Sequence, residues 1–367
     1  MAILPCQAVR QRRDRAPHDT RALPPSHPVL RPVPESGAGV TVRGLWRVER
    51  GWQVLRTTLQ RRVIVLMYHR VFEPTSDPWR NCVRPERFAA QLAYLRQHYS
   101  IVGLRGLATA LRERNLPRRA VVLTLDDGYL DNLIIAKPLL ERYEAPATAF
   151  VTTGYLGAER EFWWDELERL ILLAPELPAQ LTVAVRDASH DWDLRDSSAP
   201  VRKRVHRQVY DLLNPLAHDE RDTILRALRA EIPIDPCPRP GYRPLTSDEV
   251  GRLAESNLVE VGSHSVTHPR LSAQPRDVQR WEMVESKRRL EAILGRSITS
   301  FCYPYGSRAD VGGDAEALAQ EAGFEVACSS CERPVTSRAD PFWLPRFAVL
   351  DWDAAEFGAR LQAMFRR

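Results

Sequence analysis

Short apolar blocks alternate with longer stretches of helical spacing along most of the chain. Residues 62–68, Arg-Val-Ile-Val-Leu-Met-Tyr, are apolar at almost every position, the mark of a strand covered on both faces. After Pro85, the recurrence of Phe88, Leu92 and Leu95 predicts a helix over 88–96. Strands follow at 121–125 and 147–151, on either side of a helix at 132–143. A helix over 246–256 opens on Thr246 with Glu249 three residues on, a reciprocal capping pattern. The series continues with a strand at 258–261, a helix at 275–294 and a strand at 298–303. It closes with a helix at 315–322 halted by Gly323, strands at 325–328 and 347–350, and a helix at 354–365. Helices between successive strands imply crossovers and a parallel sheet, and about seven such units favour a barrel over an open sheet.

Two stretches break the rhythm. Residues 160–245 begin near Phe162-Trp163-Trp164-Asp165, hold amphipathic segments at 167–173 and 205–216, and end in a proline-rich run from Pro233 to Pro244. They are expected to be a mostly helical insertion into the barrel, either a lid or substrate wall or a plain elaboration. Residues 1–45, rich in proline and arginine without apolar periodicity, are expected to form a disordered or loosely attached extension. A short amphipathic helix over 45–59 would then lead into a barrel domain spanning 46–367.

The 367 residues suffice for one large domain or two ordinary ones, and 44% hydrophobic with 27% charged residues is a globular balance. The net charge of +5 is spread as arginine and is compatible with an anionic glycan or lipid partner. No nucleic-acid-binding signature accompanies it. No stretch approaches the ~18 apolar residues of a membrane span. Residues 1–4 are too short for the core of a secretory signal and run into Arg10, Arg12 and Arg13, which leaves the cytoplasm as the default location. Cysteines at 6, 82, 237, 302, 328 and 331 form no disulfide framework, and Cys328-Ser-Ser-Cys331 lacks a second pair, so both are read as structural.

In a parallel barrel the reactive groups come from the C-terminal ends of strands. Four polar groups sit at such ends: Tyr68-His69, Asp126-Asp127, His264 with His268, and the loop Tyr303-Pro304-Tyr305-Gly306. The aspartates alone could cap the helix that starts near Asn132, but that leaves the two histidines unexplained. One carboxylate with two neutral imidazoles makes a three-ligand metal site with open positions. The second carboxylate is then free to act as general base. On an extended chain, adjacent aspartates face opposite ways, which suits two different roles.

Thr124-Leu125-Asp126-Asp127-Gly128 resembles the Thr-Phe-Asp-Asp-Gly motif of the polysaccharide deacetylases, the NodB-like carbohydrate esterase family 4. His264-Ser265-Val266-Thr267-His268 is similar to that family's His-Ser/Thr-x-x-His motif, and Tyr303-Pro304-Tyr305-Gly306 to most of its Arg-x-Pro-x-Gly motif. Met67-Tyr68-His69-Arg70-Val71 and Phe162-Trp163-Trp164-Asp165 resemble a subgroup of bacterial surface-polysaccharide pathways, and the resemblance spans roughly residues 62–351. It implies a deformed (β/α)7 barrel. It also implies a divalent metal on Asp127, His264 and His268, with Asp126 as general base and a backbone N–H near Tyr305 as oxyanion donor. Zinc is the first choice of metal, although cobalt, nickel and iron also suit the donor set. The implied reaction is hydrolysis of the acetamide of an N-acetylated polysaccharide or lipid-linked sugar, releasing acetate and leaving an amine.

The chain departs from the motif pattern twice. The third-motif arginine is Cys302 here, and Arg346, just before the last strand, is the candidate replacement, expected to pair with Asp126. The usual acid histidine has no counterpart, since no histidine follows His268; His69 or Asp351 would have to serve. Trp163 and Trp164 could wall a sugar site, with at least one expected inside the insertion, and Asp165 is expected to cap the helix it opens. Two other readings are a different amide hydrolase on the same scaffold and a non-catalytic carbohydrate-binding relative. Retention of both carboxylates and both histidines speaks against the second.

Overall fold

The first apolar run folds as β1 (Val63–Tyr68), buried at every position. It is followed by β2 (Arg70–Val71), β3 (Cys82–Val83), β4 (Ser100–Ile101), β5 (Ala120–Leu125) and β6 (Ala147–Val151). Next come β7 (Gln180–Val185), β8 (Ala188–Asp193), β9 (Val259–Ser263), β10 (Ser300–Cys302), β11 (Val326–Cys328) and β12 (Phe347–Ala348). The computed structural model describes residues 61–367; the extension at 1–45 and the helix expected over 45–59 lie outside them.

Seven strands run parallel in the order β11-β10-β9-β6-β5-β1-β12, with β4 beside the start of β5. One short stretch closes the sheet on itself. Leu344 bridges to Cys328 on β11, and three residues later Phe347 lies in register with Leu66 on β1. The expected deformed (β/α)7 barrel is therefore the fold, with helices such as Pro85–His98 and Arg276–Leu294 outside. No helix among the described residues is long and apolar enough to cross a membrane.

The barrel's two apolar groups sort by parity. Ile64, Leu66 and Tyr68 pack outward against Phe88, Leu92 and Leu95. Val63 and Val65 pack inward with Val122, Phe150, Cys302, Val326 and Cys328. Gly262 on β9 leaves room for the inward Phe150, because a Cβ there would stand 2.5 Å from the phenyl ring. The strand period of two then carries the inward rows beyond the strand ends, from Met67 to His69 and from Thr124 to Asp126. Polar groups at strand ends thereby gather over the barrel mouth.

The insertion between β6 and β9 contains the helix Trp163–Glu168, a wider-turn continuation Arg169–Leu173, and the helices Ala199–Leu213 and His218–Glu231. It has its own apolar core around Trp163, Leu167, Val209 and Leu225. The mostly helical expectation missed the antiparallel β7–β8 hairpin. Its alternation is short: only Leu181 and Val183 of β7 are fully buried. Its turn at Arg186 takes the left-handed conformation (φ 53°) without the glycine or asparagine that would have signalled it.

Candidate metal and catalytic site

Asp126 continues the inward row of β5, two residues beyond Thr124. Arg346 arrives from the closing stretch just before β12. Its Nη1 and Nη2 donate to Oδ1 and Oδ2 of Asp126, each at 2.7 Å. Nη1 also donates to Thr124 Oγ1, Nη2 to Cys302 Sγ and Nε to the Ser329 carbonyl, each at 2.9 Å. All five N–H donors of the guanidinium thus have partners. The two side chains are only 1% and 3% exposed. Burial pulls the Asp126 pKa up, but the charge and hydrogen bonds of Arg346, helped by His264 and His69, outweigh it and hold the carboxyl well below its usual range. Burial pushes the Cys302 thiol up to about 11, so a small neutral group stands at the third-motif position and leaves room for the guanidinium.

Asp127 does not continue the strand. Its backbone is left-handed (φ 76°), as is that of Gly128 (φ 84°). The premise of an extended chain through both aspartates is therefore wrong at the second one: a turn, not strand alternation, separates the two carboxylates. That turn aims Asp127 Oδ1 at His264 Nε2, 3.5 Å away, and at His268 Nε2, 3.6 Å away. The candidate ligand atoms of these three buried residues lie within 4.8 Å of one another. His264 Nδ1–H donates to the Cys302 carbonyl at 2.8 Å, which leaves Nε2 as the nitrogen facing Asp127. Burial alone would lower the His264 pKa, but Cys302, Asp127 and Asp126 outweigh it and raise it well above the ordinary histidine value, a proton that a bound cation would displace. Burial, then the neighbouring His264, push the His268 pKa down to about 3, so its imidazole is neutral, the ligating form. A carboxylate and two imidazoles so disposed fit a divalent cation with open positions.

The histidine loop is strained and braced. Ser265 (φ 65°) and His268 (φ 54°) are both left-handed, at a cost of roughly 1–3 kcal/mol each for a non-glycine residue. Glu282, on the helix Arg276–Leu294, accepts from Val266 N (2.6 Å), Thr267 N (2.9 Å) and Thr267 Oγ1. From the other side Arg221, fully buried on the insertion helix His218–Glu231, donates to the Thr267 carbonyl at 3.1 Å. Its guanidinium carbon lies 4.7 Å from the centre of the Trp163 ring. Neither brace was foreseen. Glu282 sits mid-helix among charged residues and Arg221 in an arginine-rich helix, and both patterns read as solvent faces.

Asp126, Asp127, His264, His268, His69 and Tyr305 line one pocket of about 470 Å³, walled by Trp79, Trp164 and Tyr210. The His69 ring makes no hydrogen bond among the described residues, and burial lowers its pKa against the opposing pull of Asp127 and Asp126. Tyr305 is left-handed (φ 61°). Its carbonyl accepts from Ser330 Oγ at 2.7 Å, and its N–H has no partner among the described residues. Asp351 does not line this pocket; it accepts from Arg84 N (3.0 Å) and Nε (2.8 Å).

Trp163 is buried in the insertion core, whereas the Trp164 ring faces the pocket 4.7 Å from His268. Trp164 Nε1 donates to Tyr129 Oη at 2.7 Å, and that hydroxyl donates to Asp165 Oδ2 at 2.6 Å. Asp165 is not the expected helix cap. The helix starts at Trp163 with Phe162 at the cap position, so Asp165 falls inside the first turn and points inward. Burial lifts its pKa to about 7.

A family model described as polysaccharide deacetylase matches residues 113–211 and 228–327, more than half of the chain. Among curated proteins, the poly-beta-1,6-N-acetyl-D-glucosamine N-deacetylase of Staphylococcus aureus is 28% identical over 111 residues, 26% of this chain and 38% of that relative. The chain thus matches well under half the length of that protein. Among solved structures, the deacetylase PplD of Streptococcus pyogenes, in complex with acetate, is similar with a TM-score of 0.54 at 19% identity over 83% of this chain and 99% of that one. IcaB from Ammonifex degensii gives 0.52 at 19% identity over 84% and 98%. These two likenesses are of fold.

Proposed function

The chain belongs to the polysaccharide deacetylase family, and from that membership we propose that it removes N-acetyl groups from amino sugars of a polysaccharide or lipid-linked glycan. One observation supports the reading above the others. The three candidate ligands Asp127, His264 and His268 share a pocket with a carboxylate, Asp126, that is gripped by an arginine fork. Asp127, His264 and His268 would hold a divalent cation, with zinc preferred by ligand type. Such a cation, when bound, lowers the pKa of a water toward ~7 and polarises the acetamide carbonyl.

The chain's own groups supply the rest. Asp126, kept ionised by Arg346, accepts the proton of the attacking water. The unpartnered N–H of Tyr305 donates to the carbonyl oxygen as negative charge gathers there, a contribution typically worth ~3 kcal/mol. His69, neutral at rest because burial lowers its pKa, is the candidate to take that proton from Asp126 and hand it to the nitrogen as the C–N bond breaks, giving acetate and a free amine. Trp79, Trp164 and Tyr210 offer flat apolar faces for the sugar ring.

The test is acetate release from N-acetylglucosamine oligomers, with metal content measured in the same preparation. Acetate should appear only with about one equivalent of metal bound. A fully loaded, folded enzyme that released none from any N-acetylated glycan offered would overturn the proposal.

A further inference from the structure

The pocket does not end at the candidate ligands. Past Met67, His69, Trp79 and Asn81, which line both spaces, it opens into a groove of about 1080 Å³. One wall of the groove is apolar, made by Phe347, Val349, Leu350, Trp352 and Met364. Its charged lining is three arginines, Arg80, Arg360 and Arg367, against one carboxylate, Glu332.

The three cations are differently placed. Arg80 is exposed and makes no ion pair among the described residues. Its backbone is left-handed (φ 57°), and Asp77 holds the turn by accepting from Asn81 N at 2.9 Å and Cys82 N at 3.0 Å. A strained non-glycine position fixed in this way, at the junction of cavity and groove, is the kind of geometry retained where a side chain must point at something. Arg360 rests 4.6 Å from the Trp352 ring centre and pairs with Glu356 one helical turn earlier. That pair is half exposed on both sides, and such pairs are weak enough in water to exchange for a ligand. Arg367 is held by Glu332 at 3.0 Å. The groove thus carries a surplus of guanidinium forks, the donors best matched to phosphate oxygens, next to an apolar surface.

We propose that this groove is the subsite for an anionic aglycone: a phosphate ester on the anomeric oxygen of the acetylated sugar, continuing into an apolar or a glycan tail. The inference rests on the deacetylase reading only for the placement of the sugar in the adjoining pocket. Binding can be tested apart from turnover, on the full chain kept metal-free with chelator. Three probes are compared by calorimetry: methyl N-acetylglucosaminide, N-acetylglucosamine 1-phosphate, and its octyl phosphodiester. Both phosphate probes should bind about tenfold more tightly than the neutral glycoside. The advantage should shrink as salt rises and vanish in the double variant Arg80→Ala, Arg360→Ala, whose exposed positions leave the core intact. A further gain for the octyl ester assigns the apolar wall to a lipid tail; equal binding of the two phosphates keeps the phosphate site and assigns the tail to glycan. Equal binding of neutral and phosphorylated probes, or a preference untouched by the double variant, overturns the proposal. Acetate release on metal reconstitution is scored separately: its failure beside an intact binding pattern counts against the deacetylase reading alone.

Discussion

Removing the fork at Arg346 should be among the most damaging single changes in the barrel. In Arg346→Ala, Asp126 loses both 2.7 Å bonds while remaining buried, and Thr124, Cys302 and the Ser329 carbonyl each lose a donor. Breaking one side of a buried pair typically costs ~3–5 kcal/mol, because the surviving charge has nowhere to go. Arg346→Lys restores charge but not the planar five-donor fork, and should leave a deficit on the order of 2 kcal/mol. The pH dependence identifies the cause. With Arg346 present, the Asp126 pKa is depressed, so its contribution to stability is full above the ordinary carboxylate range near ~4 and fades as pH falls through the folded value. Without the guanidinium, burial raises that pKa, and stability instead drops as pH rises. The gap between the two proteins should therefore be widest near neutrality and narrow toward pH ~3. Urea unfolding with chelator present, at pH 7 and pH 4, measures it. An Arg346→Ala protein within about 1 kcal/mol of the parent at pH 7, or a deficit that does not change with pH, would show that Asp126 does not depend on the fork.

Four further outcomes follow from the site. His264→Ala should lose stoichiometric metal with an unchanged circular dichroism spectrum; full occupancy would remove His264 from the ligand set. Asp126→Asn should keep the metal and lose ~10²–10⁴-fold in kcat, the usual scale for a general base, so a variant with near-normal acetate release would demote Asp126 to a structural role. Glu282→Ala, which touches no ligand atom but frees the strained loop, should weaken metal binding ~10–100-fold, as read by competition with a chromogenic chelator; parental affinity would show the brace to be idle. Asp165 has its pKa raised to about 7, so the stability it lends is present below pH ~4 and lost as pH climbs through 7. Asp165→Asn should therefore flatten the stability profile between pH 5 and 7.5, and an unaltered slope in urea unfolding would contradict this.

What could be read from the chain alone follows from the range of the forces involved. The barrel strands are runs buried on both faces, and burial writes itself into every residue of β1 and β5. Strand ends are equally legible, because the period of two extends the inward row to His69 and Asp126. The turn at Asp127 was not, since a left-handed aspartate leaves no trace in apolar periodicity. Arg346 could be nominated as the cation near Asp126 by elimination, but its bonds to Ser329, Thr124 and Cys302 depend on how the sheet closes, a property of distant segments. Glu282, Arg221 and Tyr129 escaped for a related reason: each acts through a partner 15 or more residues away. The hairpin was missed because its inward face is two residues deep.

The double brace on the histidine loop has a bearing on how such a barrel can be remodelled by exchange of parts. Residues 160–245 look like a module that a relative could donate or lack. Yet Arg221 reaches out of that module to the Thr267 carbonyl, one residue before a candidate ligand. A graft that brought every loop but lacked this guanidinium would leave the Thr267 peptide held by Glu282 but without its donor on the other side. His268 keeps its left-handed seat in a loop contacted from opposite sides, by segments around 221 and 282. Remodelling either side therefore bears on the candidate metal triad without touching a candidate ligand.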